Sequence, residues 1–413
     1  MKAKVRGLSA LSSITMATKS HRTITTFAIA VLAGGLMSGL HAAPAQAAGP
    51  ELSVTTVASG LSVPWNLVVA PDGTILTGER AGRFVAVRPG GAANPVAADL
   101  SRIFAVKEAG LMGLAIDPGF ATTRRVYSCQ AEKTASGNGS SVPPDIANLP
   151  VPLPNTGQVI NVVSWLVSAD WSRMVRERTV LTGIPVNSGG RHAGCGVTAA
   201  SDGTLWIGTG DNAVRSMPQD RKALGGKVLH INTNGTPARG NPFPGSPIYT
   251  LGHRNVQNVA IAPSGRVYAI EQGTSVDDEL NLLRAGRNFG YRPDRAPFIY
   301  DESVPMTDPI RVPGAVGAVW RSGSPTLATP GLRFLPTSGW GEWSGAAVIS
   351  AQKGKRLVFV KLSADGNRVV RTSEVLHEKY GRLRGLAIDR DGSLLVTTDN
   401  GSNDQILRVR FAG

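Results

Sequence analysis

The stretch GLAIDRDGSLLVTTDNG (Gly385–Gly401) decides the fold class of this chain. Two short apolar runs stand on either side of an Asp-Gly pair. Asp-Gly supplies the positive backbone angles that tight hairpin turns require. Runs of this length with alternating side chains are typical of half-buried strands. The stretch therefore predicts two antiparallel strands joined by a tight turn.

The same unit recurs along the chain, with Asp-Gly, Ser-Gly or another Gly-containing turn at its centre. The other copies are Trp65–Arg80, Gly110–Gln130, Cys195–Asp211, Asn258–Gly273 and a weaker one at Gly331–Gln352. Many copies are followed by further strand-like runs, which gives six repeats of about four strands each. This repetition predicts an all-β fold, a six-bladed β-propeller with four-stranded antiparallel blades. A large β-sandwich, or two of them, is the alternative.

The ends of the chain are predicted to close this ring. The segment LSVTTV (Leu52–Val57) precedes the first copy and reads as a strand. We expect it to pair with the last copy, because closure removes exposed strand edges. Residues 48–413 are therefore predicted to form a single β-propeller domain.

The first 47 residues have the pattern of a secretory signal. Five Lys or Arg and no acid precede the apolar run TTFAIAVLAGGLMSGL, and Ala-Gln-Ala follows it. A basic region, an apolar core and small residues at a cleavage site are the three parts of such a signal. The run is shorter than the ~20 apolar residues of a spanning helix, although a retained anchor is the alternative. We expect residues 1–47 to be removed and the mature protein to be secreted, or periplasmic in the cell envelope, with no stable membrane span.

Charge and composition give weaker indications of a ligand. The formal net charge is +14, and it falls to +9 when the five cations of the signal are removed (14 − 5 = 9). The remaining basic residues are scattered and are not interleaved with aromatic residues, so the sequence does not suggest a nucleic-acid groove. A basic soluble surface or an anionic ligand would each account for this charge.

The chain has two cysteines, Cys129 and Cys195. In an exported protein, two thiols usually form one disulfide. The alternative is two unrelated buried thiols. We expect the disulfide, because the signal directs the chain to an oxidising compartment.

Polar residues stand directly before the first strands of several copies. Equivalent positions in a propeller point towards one mouth of the central channel, so residues far apart in sequence are expected to converge there. These residues are Glu108, His192, Arg254, Asn255, Arg382 and Arg384, and Lys353 joins them from a strand end of the fifth copy. Taken singly, each is more often a solvated loop residue. A cluster of cations needs an anionic guest, and Arg binds carboxylates in a two-pronged geometry.

The stretch EQGTSVDDELN (Glu271–Asn281) adds oxygen donors beside these cations. Calcium takes carboxylate and backbone carbonyl oxygens as ligands. A solvated acidic turn would have the same composition, so the stretch by itself leaves both possibilities open.

Several motifs resemble the soluble PQQ-dependent glucose/sorbosone dehydrogenases, where PQQ is pyrroloquinoline quinone. The motifs are PWNLVVAPDGTILTGERAGR, EAGLMGLAIDPGF, YTLGHRNVQNVAIAPSGRVYAIEQG, DELNLLRAGRNFGY and GRLRGLAIDRDGSLLVTTD. The resemblance covers about Leu61–Arg410 and implies a six-bladed propeller that oxidises aldoses or related sugars. It also implies PQQ and Ca²⁺ as cofactors and an external electron acceptor as a partner. RHAGCGV together with VYSCQ resembles an exported subgroup in which the two cysteines pair.

The resemblance implies a role for each matching residue. His192 matches the general base that takes the proton from the anomeric hydroxyl while hydride goes to PQQ. Arg254 and Asn255 match residues that hydrogen-bond the quinone oxygens. Three cations, Lys353, Arg382 and Arg384, match those that hold PQQ, and Glu108 matches a polar contact to the cofactor or substrate. The backbone carbonyls of Gly273 and Thr274 match ligands of calcium, which polarises the quinone.

Two departures from the family pattern bear on the activity. Arg191 precedes His192, where the glucose enzymes carry Asp, so glucose is not implied as the substrate. Thr274 replaces a family Pro, which a ligand that uses its backbone carbonyl tolerates. The competing functions are a propeller that binds a sugar or a partner without catalysis, and a calcium-dependent lactonase-type hydrolase. The lactonase would need side-chain carboxylates around a channel metal, which the starts of the copies do not supply.

Overall fold

The structure is a computed structural model that describes residues 49–134, 141–142, 157–297 and 299–413. The predicted signal, residues 1–47, lies outside the described residues. Six four-stranded antiparallel sheets account for nearly all the regular structure that is described. Within the same ranges, no helix is long and apolar enough to cross a membrane.

The six sheets are the blades of a propeller, which we number in chain order. Blade one contains β2 (Pro64–Val69), β3 (Ile75–Glu79), β4 (Arg83–Val87) and β5 (Ala93–Val96). Blade two contains β6 (Leu111–Ile116), β7 (Arg125–Lys133), β9 (Gln158–Val167) and β10 (Met174–Ile184). Blade three contains β12 (Gly194–Ala199), β13 (Thr204–Thr209), β14 (Lys227–Asn232) and β15 (Ile248–Leu251).

The second half of the chain repeats this arrangement. Blade four contains β16 (Val256–Ile261), β17 (Val267–Glu271), β18 (Glu279–Leu282) and β19 (Trp320–Arg321). Blade five contains β20 (Gly331–Phe334), β21 (Ala347–Ala351), β22 (Arg356–Leu362) and β23 (Val369–Val375). Blade six contains β24 (Leu383–Ile388), β25 (Leu394–Thr398), β26 (Asp404–Phe411) and β1 (Leu52–Leu61).

Short elements lie in the connections between strands. A one-turn α-helix, α1 (Phe120–Thr123), follows β6, and two 3₁₀ turns are formed by Met217–Gln219 and Gly341–Trp343. The strand β8 (Ser141–Val142) pairs in parallel with β11 (Val186–Asn187).

The first strands of the blades line the centre of the ring. Each contacts the first strand of the next blade, in the cycle β2, β6, β12, β16, β20, β24 and back to β2. This closed cycle confirms the six-bladed propeller, and a β-sandwich is excluded. The six first strands therefore surround one central channel, and we call them the inner strands.

The N-terminal strand completes the last blade. β1 pairs antiparallel with β26, from Leu52 opposite Phe411 to Leu61 opposite Asp404. The predicted pairing of Leu52–Val57 with the last copy is thus confirmed. Blade six takes three strands from the C-terminus and one from the N-terminus, so both ends of the chain hold the ring closed.

The apolar core lies between neighbouring blades. Phe84 of blade one packs edge-on against Trp165 of blade two, with ring centroids 5.4 Å apart. Tyr268 of blade four and Phe334 of blade five are 5.2 Å apart. Fully burying a side chain of this size stabilises the fold by roughly 1.5–3 kcal/mol. Because these contacts hold the blades together, the channel itself does not need an apolar filling and is left for polar side chains.

A disulfide adds a covalent link between two blades. Cys129 on β7 is bonded to Cys195 on β12, across 66 positions of sequence. The expected disulfide is confirmed, and the alternative of two unrelated thiols is wrong. Cys195 stands three residues after His192, so the bond anchors the start of the inner strand of blade three.

Candidate functional site

The residues that precede the inner strands converge at one end of the channel. Asn255 Nδ2 donates to the Glu108 carboxylate at 3.2 Å, and Asn255 Oδ1 accepts from the Gly194 N–H at 3.0 Å. Glu108 Oε2 also accepts from the Ala193 N–H at 3.1 Å. These bonds join blades two, three and four, so the structure brings the segment around His192 next to Glu108 and Asn255.

Two adjoining cavities open at this end of the channel. The first has a volume of about 300 Å³ and the second of about 340 Å³. Glu108, Lys107 and Gln272 line both of them. The first cavity is also lined by Val63, Arg80, Gln257, Gln352, Arg382, Arg384 and Asp399. The second is also lined by Gly190, Arg191, His192, Arg254, Asn255, Gly273, Thr274, Asp278, Thr326 and Ala328.

His192 is held in a fixed orientation by a buried carboxylate. Its Nδ1 lies 2.8 Å from Asp211 Oδ1, and Asp211 is fully buried. Asp211 Oδ1 also accepts from the Ala213 N–H at 2.9 Å, and Oδ2 accepts from the Tyr300 hydroxyl at 2.6 Å. Burial, followed by the charge of Asp211, raises the pKa of Tyr300, so its hydroxyl remains a donor. The imidazole ring therefore cannot turn without breaking a connected set of hydrogen bonds.

The backbone of this segment approaches its neighbours closely. His192 has φ of +47°, in the left-handed region that side chains other than Gly seldom adopt. A Cβ at Gly210 would lie 1.8 Å from the carbonyl oxygen of His192. Glycine is therefore required at position 210 for the His192 backbone to reach its place.

Arg254 is the second buried group beside the cavity. Its Nη2 lies 3.0 Å from His192 Nε2 and 2.9 Å from Glu302 Oε2, and Nη1 donates to the Gln272 carbonyl at 3.0 Å. Burial alone would lower the pKa of Arg254, but the surrounding groups, Glu302 and Asp211 among them, raise it. The guanidinium therefore stays charged beside the imidazole.

The contact with Arg254 fixes the tautomer of His192. A guanidinium can only donate hydrogen bonds. Nε2 of a neutral His192 must therefore accept from Arg254, and the proton lies on Nδ1, which donates to Asp211. Nε2 is thus the nitrogen without a proton, on a residue that lines the second cavity, and its lone pair accepts from Arg254.

Two arginines of blade six line the first cavity. Arg384 is buried, lies over the ring of Trp65 at 4.1 Å, and has Nη1 3.4 Å from Asp399 Oδ2. Burial lowers the pKa of Arg384, and the charge of Asp399 opposes that effect. Arg382 is more exposed, and its Nη2 lies 3.7 Å from the same oxygen. One carboxylate thus stands between two cations, which leaves this part of the site with a net positive charge.

Lys353 does not line either cavity, unlike the cations with which it was grouped. It is exposed, and the lining of the two cavities includes its buried neighbour Gln352 instead. Gln352 Nε2 donates to Asp399 Oδ2. Among the residues that we expected to meet at the mouth, Lys353 is the one that lines neither cavity.

The segment that was expected to bind calcium lines the second cavity through Gly273 and Thr274. Asp278 is buried below it and accepts from the N–H groups of Gly273 at 3.1 Å, Leu327 at 2.6 Å and Ala328 at 3.0 Å. Burial raises the pKa of Asp278 despite these hydrogen bonds. Asp278 therefore shapes the loop and is not part of a solvated acidic turn.

Side-chain carboxylates do not form a metal cluster in the part of the chain that the structure describes. No group of three or more His, Cys, Asp or Glu is placed there to hold an ion. A cation at this site would have to rely on the carbonyl oxygens of Gly273 and Thr274 and on a bound ligand.

In the described part of the chain, five of the twelve buried side-chain polar atoms without a hydrogen-bond partner belong to residues that line the two cavities. They are Nε of Arg254, Nε and Nη2 of Arg384, Oε1 of Gln257 and Oγ1 of Thr274. An unpaired buried donor costs roughly 1–3 kcal/mol, and more when it is charged. Donors of this kind on two arginines fit an anionic ligand whose oxygens would complete their hydrogen bonds.

His253, which precedes Arg254, does not take part in the site. It is fully buried, with Nδ1 2.8 Å from Glu271 and Nε2 2.9 Å from Thr250. Its ring stacks on Phe289 at 4.6 Å. His253 thus anchors the segment that presents Arg254 and Asn255.

Three residues near His192 were not predicted from the sequence. Asp211 follows β13, so its place at the end of a strand in the third copy was a usable signal. Tyr300 and Glu302 lie in the long connection between β18 and β19, outside the repeat. Glu302 bridges Arg191 at 2.8 Å and Arg254 at 2.9 Å.

The arrangement agrees with what the sequence shares with known proteins. The glucose/sorbosone dehydrogenase family matches residues 61–408. The chain is 27% identical to aldose sugar dehydrogenase YliI of Escherichia coli, over 91% of this chain and 95% of that one. It is also 27% identical to quinoprotein glucose dehydrogenase B of Acinetobacter calcoaceticus, over 60% of this chain and 54% of that one.

A solved structure shares the fold as well. The PQQ-bound aldose sugar dehydrogenase of Streptomyces coelicolor superposes with a TM-score of 0.71 and is 27% identical, over 89% of this chain and 99% of that one. The family match spans all six blades, from the end of β1 to β26. This chain is a member of the glucose/sorbosone dehydrogenase family.

Proposed function

We propose that this chain is a PQQ-dependent dehydrogenase that oxidises an aldose or a related sugar. One observation carries the proposal: His192 and Arg254 touch each other, and Arg254 and Arg384, which line the two adjoining cavities, have unpaired N–H groups. We propose PQQ as the anionic ligand of these arginines because a structural relative was solved with PQQ bound.

The first cavity would hold the cofactor. The carboxylates of PQQ would accept hydrogen bonds from Nε and Nη2 of Arg384, which have no partner among the described residues. Arg382 adds a second cation at the rim, and Lys353 would reach the same ligand only from the outside. Arg suits this duty because its fork of donors matches a carboxylate. Glu108 would act indirectly, by holding Asn255 in place.

His192 would act as the general base. The Nδ1 proton is held by Asp211, so Nε2 is free to accept a proton once a sugar hydroxyl replaces Arg254 as its donor. The hydroxyl proton then moves to Nε2, and the carboxylate of Asp211 stabilises the imidazolium that forms. PQQ, when bound, supplies the quinone that accepts the hydride from the sugar.

Arg254 and Asn255 would bind the oxygen atoms on which negative charge develops. Nε of Arg254 is buried and unpaired, and Asn255 is buried with its amide fixed by Glu108 and Gly194. Donors that are already oriented stabilise developing charge without reorganising during the reaction.

Calcium is proposed as the second cofactor. The Gly273 and Thr274 carbonyls would supply oxygen ligands, which calcium accepts from the backbone. Asp278 would keep the loop in shape through its three hydrogen bonds to N–H groups. The chemistry that a cation supplies here is polarisation of a carbonyl oxygen.

The sugar specificity is proposed to depend on Arg191 and Glu302. The two side chains form an ion pair at 2.8 Å on the rim of the second cavity, where His192 is located. A neighbouring donor and acceptor suit a pair of adjacent sugar hydroxyls. Since Arg191 stands in place of an acid in the glucose enzymes, we do not propose glucose as the preferred substrate.

Export is part of the proposal. The signal pattern of residues 1–47 supports secretion or a place in the periplasm or cell envelope, and the Cys129–Cys195 disulfide is typical of such compartments. A dehydrogenase located there passes its electrons to an external acceptor.

The test is sugar-dependent dye reduction by the purified protein, with PQQ and Ca²⁺ added singly and together. Activity is expected only when PQQ is present, and it should rise further with Ca²⁺. Arg254→Ala is expected to abolish dye reduction while the protein remains folded. A folded wild type that binds a sugar but neither binds PQQ nor reduces the dye would instead be a non-catalytic propeller. Lactone hydrolysis without PQQ would favour the hydrolase.

A further inference from the structure

Arg333 lies in the channel at the end opposite to the candidate site. The site is formed by residues that precede the inner strands, whereas Arg333 is near the end of β20. A cavity of about 290 Å³ adjoins it, and its walls come from the ends of other inner strands, such as Ile116, Ala199 and Ile261. The channel therefore has a second polar position, on a different side of the ring from His192.

Arg333 carries a charge that the protein does not neutralise. Its Nη1 donates to Asn258 Oδ1 and to the Leu332 carbonyl, both at 2.9 Å, and both acceptors are neutral. Among the described residues, no carboxylate forms an ion pair with Arg333, whereas Arg254 pairs with Glu302 and Arg384 with Asp399.

The remaining donors of Arg333 are available to a ligand. A guanidinium has five N–H groups, and the two hydrogen bonds made by Nη1 leave Nε and Nη2 over. In the described part of the chain, neither of these atoms has a protein acceptor. Arg333 is partly exposed, and it lines the channel cavity.

The surroundings make an unpaired charge unfavourable. Apolar side chains, among them Val68, Leu114 and Phe334, form part of the cavity walls. Burial lowers the pKa of Arg333 to about 10, with no acidic neighbour to oppose it. A charge that is removed from water and left without a counter-charge costs several kcal/mol.

We propose that the cavity beside Arg333 binds a small monovalent anion, of the class of chloride, bromide or nitrate. A single negative charge matches the single unpaired guanidinium. A dianion would leave an excess negative charge beside the single guanidinium and would lose more hydration on entry. Because Arg333 joins blade five to Asn258 of blade four, the bound anion is expected to stabilise the ring.

The first test is crystallographic. Crystals of the wild-type protein are soaked in sodium bromide and measured at the bromine absorption edge. An anomalous peak within hydrogen-bond distance of Nε or Nη2 of Arg333 is expected. Water alone at this position in saturating bromide would overturn the proposal.

The second test uses the melting temperature in solution. Sodium bromide is compared with sodium gluconate at equal ionic strength, because gluconate is a much larger and more strongly hydrated anion than bromide. The wild type is expected to gain about 2–5 °C with saturation in bromide, and Arg333→Met is expected to lose this gain. Arg88→Met, at an exposed arginine on the rim, is the matched control and should respond like the wild type.

The variant also has a prediction of its own. In gluconate, Arg333→Met should melt at or above the wild-type temperature, because an unpaired charge has been replaced by an apolar side chain of similar length. An equal bromide response in the wild type and in Arg333→Met would overturn the proposal. If the variant does not fold, the bromide peak in wild-type crystals decides the question by itself.

Discussion

Changing Asp211 to Asn tests the role of His192 directly. Asn keeps the shape of the side chain, and its oxygen can still accept from His192 Nδ1 at the 2.8 Å position, but the negative charge is lost. Replacing a charge-assisted hydrogen bond by a neutral one costs about 1–1.5 kcal/mol. The attraction between a carboxylate and an imidazolium about 4 Å apart is about 4 kcal/mol at an effective dielectric constant of about 20. The step in which the sugar is oxidised should therefore slow by about 10- to 1000-fold.

The assay is anaerobic stopped-flow reduction of the PQQ-loaded protein by sugar, followed by absorbance without added dye. PQQ binding, measured by titration, should be unchanged, because Asp211 lines neither cavity. Tyr300→Phe is the matched variant: it removes the hydroxyl that donates to Asp211 Oδ2 at 2.6 Å but keeps the carboxylate. Loss of one such bond predicts a decrease of only about twofold to tenfold. An Asp211→Asn rate within about threefold of the wild-type rate, with PQQ bound normally, would refute the assignment of His192 as the base.

Three further predictions concern other parts of the molecule. Replacing Cys129 and Cys195 together by Ala should lower the free energy of unfolding by about 4 kcal/mol for a loop of 66 residues, as measured by denaturant titration; a loss below about 1 kcal/mol would contradict this. Burial, together with the neighbouring Glu271, raises the pKa of Glu279 to about 8 from an ordinary value of 4.5, so the folded state keeps a proton that the unfolded state loses. The free energy of unfolding should therefore fall between about pH 5 and 8, and Glu279→Gln should flatten this decline; parallel curves for the two proteins would oppose it. Glu302→Ala should tighten PQQ binding by up to about fivefold in a titration, because a partly exposed carboxylate no longer neutralises Arg254, and weaker binding would count against the proposed cofactor site.

The fold was predictable because each blade carries its own local signal. The turn at Gly392, for example, has φ of +80°, and Asp391 Oδ1 accepts from the Ser393 N–H at 3.0 Å. Asp and Gly are the residues that such a turn requires, so the turn can be recognised without any knowledge of distant contacts. The pairing of Leu52–Val57 with the last blade was predictable for a different reason. The last blade has only three strands from its own repeat, so its outer edge is the place where an additional strand can pair.

Site residues were predictable only where they occupy the same position in several repeats. His192, Arg254 and Asn255 share a position before an inner strand, so the register alone indicates that they meet. Tyr300 and Glu302 come from a connection that has no counterpart in other blades, and their contact with the site depends on long-range packing.

Lys353 shows where the repeat pattern no longer predicts the direction of a side chain. Gln352 and Lys353 lie in the turn between β21 and β22, where side chains do not follow the alternation of a strand. The residue directed towards the first cavity is Gln352, and Lys353 is exposed. A difference of one position, which the repeat pattern cannot resolve, separates the two outcomes.

The pairing of β1 with β26 has a consequence for how the protein is made. Blade six cannot be completed until Asp404–Phe411 has left the ribosome, although its partner strand, Leu52–Leu61, is the first strand of the described chain to be synthesised. The ring therefore stays open until nearly the whole chain has been synthesised, which suits the export proposed above. Deleting even a few residues of β1 or β26 would leave blade six incomplete. An affinity tag should therefore be added beyond Gly413 or ahead of Gly49, so that neither strand is shortened.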